Sequence, residues 1–286
     1  MNEPQDCGEV GLRFRIIHYP FAGTPVNTES LLLMAKLCYR PLSIDEIHDM
    51  VCGQGDDAAT GKFIRGLIRS GHLGALEHWY TSFAVEGYSR ISSQQNDRHR
   101  LIKMFKDPGV PGGEGGSAAM GWLMNDPEQG SADTSQLQQS QRYVREDNFN
   151  YVVPPSFHNH PEFLRRFREL QRQVRDLQGY GLTEAGLPPE DVRFGLTNAT
   201  ETRFVITTNA RQLRHMFNLR CCSRAQWEIR ALFDGLLAEY KRIAPNIFWR
   251  AGASCDDFGY CPEGSMSCGK APTLEDLLRR AGREPR

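Results

Sequence analysis

The sequence predicts a mixed α/β fold in a single domain: a central mixed sheet flanked by helices and interrupted by one long inserted loop. Three observations predict it. Runs of β-branched and aromatic residues near 14–19, 80–88 and 203–208 alternate with stretches whose apolar residues recur at helical spacing. No internal repeat and no flexible linker interrupts that alternation. Residues 101–134 hold seven glycines and three prolines, about twice the density of the whole chain, the composition of a surface insertion. The expected organisation is a flexible N-terminus over 1–11, a main domain over 12–250 containing the 101–134 insertion, and a cysteine-containing tail over 251–286.

In chain order, Phe14–Tyr19 reads as a strand that turns at Gly23-Thr24-Pro25. Thr28 is expected to cap a helix reaching about Tyr39. Ser43 with Glu46 three residues on forms a capping box for a second helix. A third helix spans about Asp56 to Ser70, with Phe63, Leu67 and Ile68 on one face. Tyr80–Tyr88 is strand-like, and Ser89 caps a helix over 90–100. After the insertion, regular structure resumes near Ser135. Glu162–Leu177 is an amphipathic helix, and Pro188-Pro189-Glu190-Asp191-Val192 opens another. Arg203–Thr208 is a strand ending at Asn209, followed by helices over Ala210–Leu219 and Arg224–Ile243. Within the insertion, Met120, Trp122, Leu123 and Met124 form one apolar patch suited to docking.

The 286 residues carry 34 basic and 35 acidic side chains, a net charge of −1, which argues against a protein that coats DNA or RNA. No apolar run approaches the roughly 18 residues that cross a bilayer, and the acidic, polar start Met1–Asp6 does not read as a secretory signal. The expected setting is the cytoplasm, where thiols stay reduced. Cys255, Cys261 and Cys268 have C-x5-C-x6-C spacing, unlike the C-x2-C pairs of zinc sites, so no metal is expected. The basic residues are unequal: six lysines against 28 arginines. Arginine's planar fork suits phosphate and carboxylate.

Three clusters combine arginine with neutral donors. They are Gln95-Asn96-Asp97-Arg98-His99-Arg100, Ser135 to Arg142, and Asn209 to His215 with Asn218-Leu219-Arg220. Each is a solvated helix end or a kit for binding phosphate and the edge of a heterocycle. No phosphate-binding P-loop, dinucleotide glycine motif, H-E-x-x-H or G-x-S-x-G is present. Gly112–Gly116 is glycine-rich but lacks the lysine and the following helix, and reads as loop. A nucleotide enzyme without those loops must hold phosphate with side chains.

These residues resemble the signature of the flavin-dependent thymidylate synthases, the ThyX family. Arg98-His99-Arg100 matches the first half of that signature. Ser135, Ser140 and Arg142 match the second half, with 34 residues between the halves where the family has two. Gly71-His72 with Glu77-His78, Asn209-Ala210-Arg211, Asn218-Leu219-Arg220 and Ala225–Arg230 follow the family's other blocks in order.

The resemblance implies a homotetramer with active sites between subunits, holding FAD. It implies methylation of carbon 5 of dUMP with methylene-tetrahydrofolate as carbon donor and NADPH as reductant, without a cysteine nucleophile. It places Arg98, His99 and Arg100 on FAD, with Arg98 also near dUMP, and Gln138 on both ligands. Gln95, Ser140, Gln141, Arg142 and Arg193 fall at dUMP positions. His72, Asn209, Arg211 and His215 fall at flavin positions. Arg220 aligns with the arginine that promotes ionisation at uracil N3, a role suited to a fixed guanidinium beside developing negative charge. Ser140 has no base near it in sequence and reads as a ligand hydrogen bond. Asn96 and Asp97 depart from usually apolar positions. Gly74 and Ala75 replace a hydroxyl residue and a proline. Two alternatives stay open: a non-catalytic nucleotide- or RNA-binding homologue, and a flavin enzyme acting on another pyrimidine nucleotide.

Overall fold

The structure, a computed structural model, describes residues 8–53, 56–97 and 134–281. Its fold class is the expected mixture of helices and strands. Four strands, β1 (Arg13–His18), β2 (Tyr80–Ser89), β3 (Thr134–Gln138) and β4 (Glu201–Asn209), form one sheet in the order β1-β2-β4-β3. The sheet is antiparallel rather than mixed. The long helical connections return the chain to the end it left. Thr81 Oγ1 donates to the carbonyl of His18 (2.7 Å), so β2 starts where β1 stops. The Arg90 N–H donates to the carbonyl of Thr200 (2.9 Å), so β4 starts where β2 stops.

The chain groups into two compact units: Met1–Arg15, Phe83–Asp97 and Gln136–Ile206 in the first, Ile16–Ser82, Arg98–Ser135 and Thr207–Arg286 in the second. Their boundaries fall inside the four strands rather than in linkers.

In the first unit, β2 continues into α3 (Arg90–Asp97), whose first turn is capped by Ser89 Oγ accepting the Ser92 N–H (3.3 Å). The long helix α4 (Pro161–Gly179) begins with proline at its first turn, where a missing N–H costs nothing. Val174 on α4 packs with Phe149 and Tyr151, and Phe167, Leu196 and Ala199 close around them. Residues 8–11, expected in the flexible N-terminus, instead pair with that core: Val10 N–H donates to Tyr151 O and Tyr151 N–H to Gly8 O, both 3.1 Å. Tyr151 supplies the strand edge that the sequence pattern did not reveal.

In the second unit the segment from Thr28 to Cys38 is a 3-10 helix, and its cap is Asn27 rather than Thr28: Asn27 Oδ1 accepts the Glu29 N–H. Thr28 is buried and accepts the indole N–H of Trp79 (2.9 Å), because a buried indole needs an acceptor. α1 (Ile44–Cys52) shows both halves of the predicted capping box, and Asp56 caps α2 (Asp57–Arg69). α6 (Ala210–Arg220) and α7 (Trp227–Ile243) surround a core in which Trp79 meets Tyr240 and Phe248 edge to face at 6.0 and 5.7 Å. α7 starts three residues later than expected because Gln226 Oε1 accepts the Glu228 and Ile229 N–H groups and sets the cap. The tail adds two short helices, α8 (Ser254–Phe258) and α9 (Leu274–Arg280). Thr134, expected in the insertion, is the first residue of β3; its hydroxyl bonds that of Thr208 (3.0 Å). The rest of the insertion lies outside the described residues. α5 (Pro189–Val192) completes the first unit and opens, as predicted, on proline.

Candidate active site

Of the residues expected to bind the substrate, Gln95, Gln138, Ser140, Gln141, Arg142 and Arg193 fall in the first unit, and Arg220 in the second. Gln138 ends β3, and its Nε2 donates to Ser93 Oγ on α3 (2.8 Å) and to Thr202 Oγ1 on β4 (3.0 Å). Those two acceptors fix the amide, leaving its carbonyl oxygen facing Gln136 Nε2 (3.5 Å). Beyond β3 the chain makes a tight turn. Ser140 Oγ accepts the Arg142 N–H (3.2 Å), and the Ser140 carbonyl accepts the Val144 N–H (3.0 Å). The turn presents the half-buried Gln141 and projects Arg142 outward. Arg142 Nε and Nη2 both reach Glu190 Oε2 at 2.9 Å. Arg193 Nε donates to the backbone carbonyl of the same residue (3.0 Å). Arg142 and Arg193, 51 positions apart, therefore both bond Glu190, and Ser140 braces the turn that carries Arg142. Gln95 lies half-buried on α3.

Of the residues expected to hold the flavin, His72, Asn209, Arg211 and His215 fall in the second unit, and Gln138 in the first. Asn209 caps α6 by accepting the Gln212 N–H (2.9 Å). The Ala210 N–H donates to the carbonyl of Trp79 (2.8 Å), and Arg211 Nη1 pairs with Glu77 Oε1 (2.6 Å). The G-H-x4-E-H segment is thereby fastened to the start of α6. His72 opens that segment, and its Nδ1 is hydrogen-bonded to the Tyr39 hydroxyl, the two rings lying 6.0 Å apart and nearly parallel. His215 follows Arg211 by four residues, on the same face of α6. Burial first, and the Arg220 charge second, hold the His215 imidazole below its ordinary pKa, so it is neutral at pH 7. Arg220 is the last residue of α6, where a cation faces the negative end of the helix dipole. It borders an open cavity of about 510 Å³ lined on its other side by the tail.

This donor set fits the pyrophosphate and isoalloxazine of a flavin. The first turn of α6 carries no acid and includes Arg211. His72, Asn209, Arg211 and the neutral His215 are the residues that would hold the group. Arg98, His99 and Arg100 lie outside the described residues. So does the side chain of Asp97.

Sequence reasoning named Glu77 and Glu190 without giving them a task, and passed over Tyr39, Ser93 and Thr202. An acid beside an arginine distant in sequence leaves no local signal. Asn96 is buried, and neither of its amide atoms has a partner among the described residues. Five cysteines that lie outside the three clusters in sequence are folded around the cavity that Arg220 borders.

The family model described as thymidylate synthase complementing protein matches residues 21–107 and 132–246. A flavin-dependent thymidylate synthase of Geobacter sulfurreducens is 38% identical over 258 residues, covering 90% of this chain and 95% of the relative. One of Clostridium tetani is 32% identical, covering 94% and 97%. One of Thermococcus kodakarensis is 31% identical, covering 90% and 91%. Among solved structures, the UMP/dUMP methylase PolB of Streptomyces cacaoi bound with 5-Br dUMP superposes with a TM-score of 0.61. It shares 16% identity and covers 84% of this chain and 95% of its own, a likeness of fold. On the extent of the family match and the identity to these relatives, the chain belongs to the thymidylate synthase complementing protein family.

Proposed function

We propose that the chain is a flavin-dependent thymidylate synthase, which converts dUMP to dTMP with methylene-tetrahydrofolate as carbon donor and NADPH as the source of reducing equivalents. The observation that carries the reading is the meeting of Arg142 and Arg193 on Glu190, next to the turn of Ser140, a pair of guanidinium groups suited to a small oxyanion. In this reading Arg142 and Arg193 take the dUMP phosphate, with Ser140, Gln141, Gln95 and Arg98 completing its hydrogen bonds. Gln138, its amide fixed by Ser93 and Thr202, orients the pyrimidine against the flavin. Arg220 places a planar cation at uracil N3 and stabilises the negative charge that makes carbon 5 nucleophilic. Arg98, His99 and Arg100 join His72, Asn209, Arg211 and His215 in holding FAD. Bound FAD supplies the hydride chemistry that no side chain provides.

The reaction is written without a cysteine nucleophile. Burial and Asp234 push the Cys221 thiol far up, and burial and Asp256 raise that of Cys255, so neither ionises at neutral pH. The enzyme is proposed to be a cytoplasmic homotetramer with active sites between subunits. Exposed aromatic rings directly after the two arginines, Tyr143 (82%) and Phe194 (85%), support a covering partner copy. Among the described residues no helix is long and apolar enough to cross a membrane, and the net charge of −1 gives no basic coat for nucleic acid.

Purified protein is expected to be yellow, to oxidise NADPH faster with dUMP and methylene-tetrahydrofolate present, and to release dTMP. Colourless protein that FAD cannot reconstitute, or NADPH oxidation without dTMP, would overturn the reading. Competition between dUMP and other pyrimidine nucleotides separates it from a flavin enzyme of different substrate.

A further inference from the structure

The cavity behind Arg220 is bordered by Cys221, Cys222, Cys255, Cys261 and Cys268, five of the chain's eight cysteines, and none of them is in a disulfide. Among the described residues no three His, Cys, Asp or Glu side chains are grouped as a metal ion requires, so these thiols are read by their own chemistry. They are not equivalent. Cys221 is hydrogen-bonded to Asp234 on α7, and Cys255 is raised by burial, so both are poor nucleophiles. Cys261 is nearly buried, and its N–H donates to the Pro272 carbonyl (2.7 Å). Cys268 differs: it is exposed, and its sulfur receives hydrogen bonds from the Ser223 hydroxyl and the Lys270 backbone N–H, with the Lys270 ammonium beside it. All three favour the thiolate, and its pKa is lowered.

Ser223 is the chain neighbour of Cys222, and Arg224 Nη1 donates to the carbonyl of Met266, so two contacts hold the 266–268 segment against the 222–224 turn. An exposed thiol whose sulfur accepts hydrogen bonds, with a second thiol lining the same cavity on the turn it packs against, is the arrangement of thiol–disulfide exchange.

We propose that this cavity is a thiol–disulfide site in which Cys268 is the attacking sulfur and Cys222 the resolving one, with a low-molecular-weight disulfide as oxidant. The Cys268 thiolate attacks one sulfur of R–S–S–R, forming Cys268–S–S–R and releasing RS⁻. The Cys222 thiol gives its proton to solvent, and its thiolate attacks Cys268 Sγ, expelling the second RS⁻. Two cysteines lose two electrons, the external disulfide gains them, and the protons of both thiols end on the two released RS⁻. The new bond ties the tail to the turn that begins directly after Arg220, so oxidation restrains the residue that the proposed function places against the uracil.

The test uses the full-length protein and glutathione disulfide. Non-reducing peptide mapping is expected to show a Cys222–Cys268 cross-link, with Cys268 glutathionylated at least about fivefold faster than Cys255. Cys222→Ser should stop at the glutathione adduct on Cys268. Cys268→Ser should yield neither product while keeping the unoxidised activity. Activity of the wild type should fall at least twofold on oxidation and return with a dithiol reductant. Preferential reaction at Cys255 or Cys261, a cross-link between any other pair, or a stoichiometric zinc that must be removed before the thiols react would overturn the proposal. The mapping needs no turnover, so it fails or succeeds independently of the assigned reaction.

Discussion

Arg142 meets a single oxygen of Glu190 with two nitrogens, Nε donating to Oε2 and Nη2 also lying 2.9 Å from it. Both side chains are about half exposed. Exposed ion pairs contribute only about 0–1 kcal/mol to stability, so the pair is poorly explained as a brace. It keeps the guanidinium at the surface, next to the turn formed by Ser140. A phosphate competing for the same fork meets a weakly held cation. Arg142→Lys should therefore change the melting temperature little while raising the KM for dUMP by roughly tenfold or more, because lysine cannot present two parallel donors. Steady-state kinetics beside a thermal melt decides it; a large loss of stability with an unchanged KM would make the pair structural.

His215 and Arg220 make a second prediction. Burial and the neighbouring guanidinium lower the imidazole's pKa from its ordinary 6.5. The unfolded chain then binds a proton that the folded one resists, so this group's contribution to stability is complete above about 6.5 and is lost as pH falls from there toward the folded pKa. Arg220→Gln removes the like-charge part and should move the His215 midpoint, followed by NMR titration, upward without fully reaching 6.5, because burial is the larger cause. An unmoved midpoint would separate the two residues. Arg220→Lys keeps the charge but loses the planar fork, and should sharply lower turnover.

How far the sequence reveals this arrangement depends on whether its causes are local. The Ser43–Glu46 box and the α6 boundary at Asn209 are set within four residues, and each is found where the pattern predicts it; α2 starts at Asp57, one residue after the expected Asp56, which caps it. Arg142 and Arg193 were named as substrate residues only through resemblance; their meeting on Glu190 spans 48 residues of chain and has no periodicity to betray it. Likewise Thr28 looks like a cap in sequence, yet Trp79, 51 residues on, claims its hydroxyl. The sheet's antiparallel order was obscured because alternating strands and helices suit crossover connections equally well. The cysteine cavity was obscured because its two walls are separated by the whole of α7.

Gly87 gives a third prediction. It sits inside β2 with φ +66°, a conformation that side chains other than glycine rarely adopt. A Cβ built there would stand 1.9 Å from the carbonyl oxygen of Gly11, which is backbone and cannot swing away. Its N–H also donates to Glu201 Oε1 (2.8 Å), so the peptide cannot rotate to relieve the contact. Gly87→Ala should destabilise by roughly 2 kcal/mol or more, the strained backbone and the clash adding. Gly66→Ala on α2, where a Cβ meets nothing within 4 Å, should be neutral or slightly stabilising in the same urea titration. Equal midpoints for the two variants would refute the close approach of Gly11.

Arg214 gives the last. It is 5% exposed, and burial lowers its pKa while Asp257 partly restores it. Nη1 donates to the carbonyls of Ile247 (2.9 Å) and Trp249 (3.0 Å), and Nη2 to Asp257 Oδ1 on α8 (2.7 Å). One guanidinium thus satisfies two backbone acceptors after α7 and the carboxylate of the tail. Arg214→Met keeps most of the volume but leaves three acceptors unmet, one of them charged, and should cost about 3 kcal/mol. Asp257→Asn leaves both carbonyl bonds in place and should cost less, about 1 kcal/mol. The double variant should cost less than the sum of the two, because the aspartate charge no longer lacks a partner. Urea unfolding of the four proteins measures the cycle, and limited proteolysis should cut Arg214→Met earlier between residues 250 and 260 than the parent. Strict additivity, with no change in cleavage, would mean that the tail is held in place without Arg214.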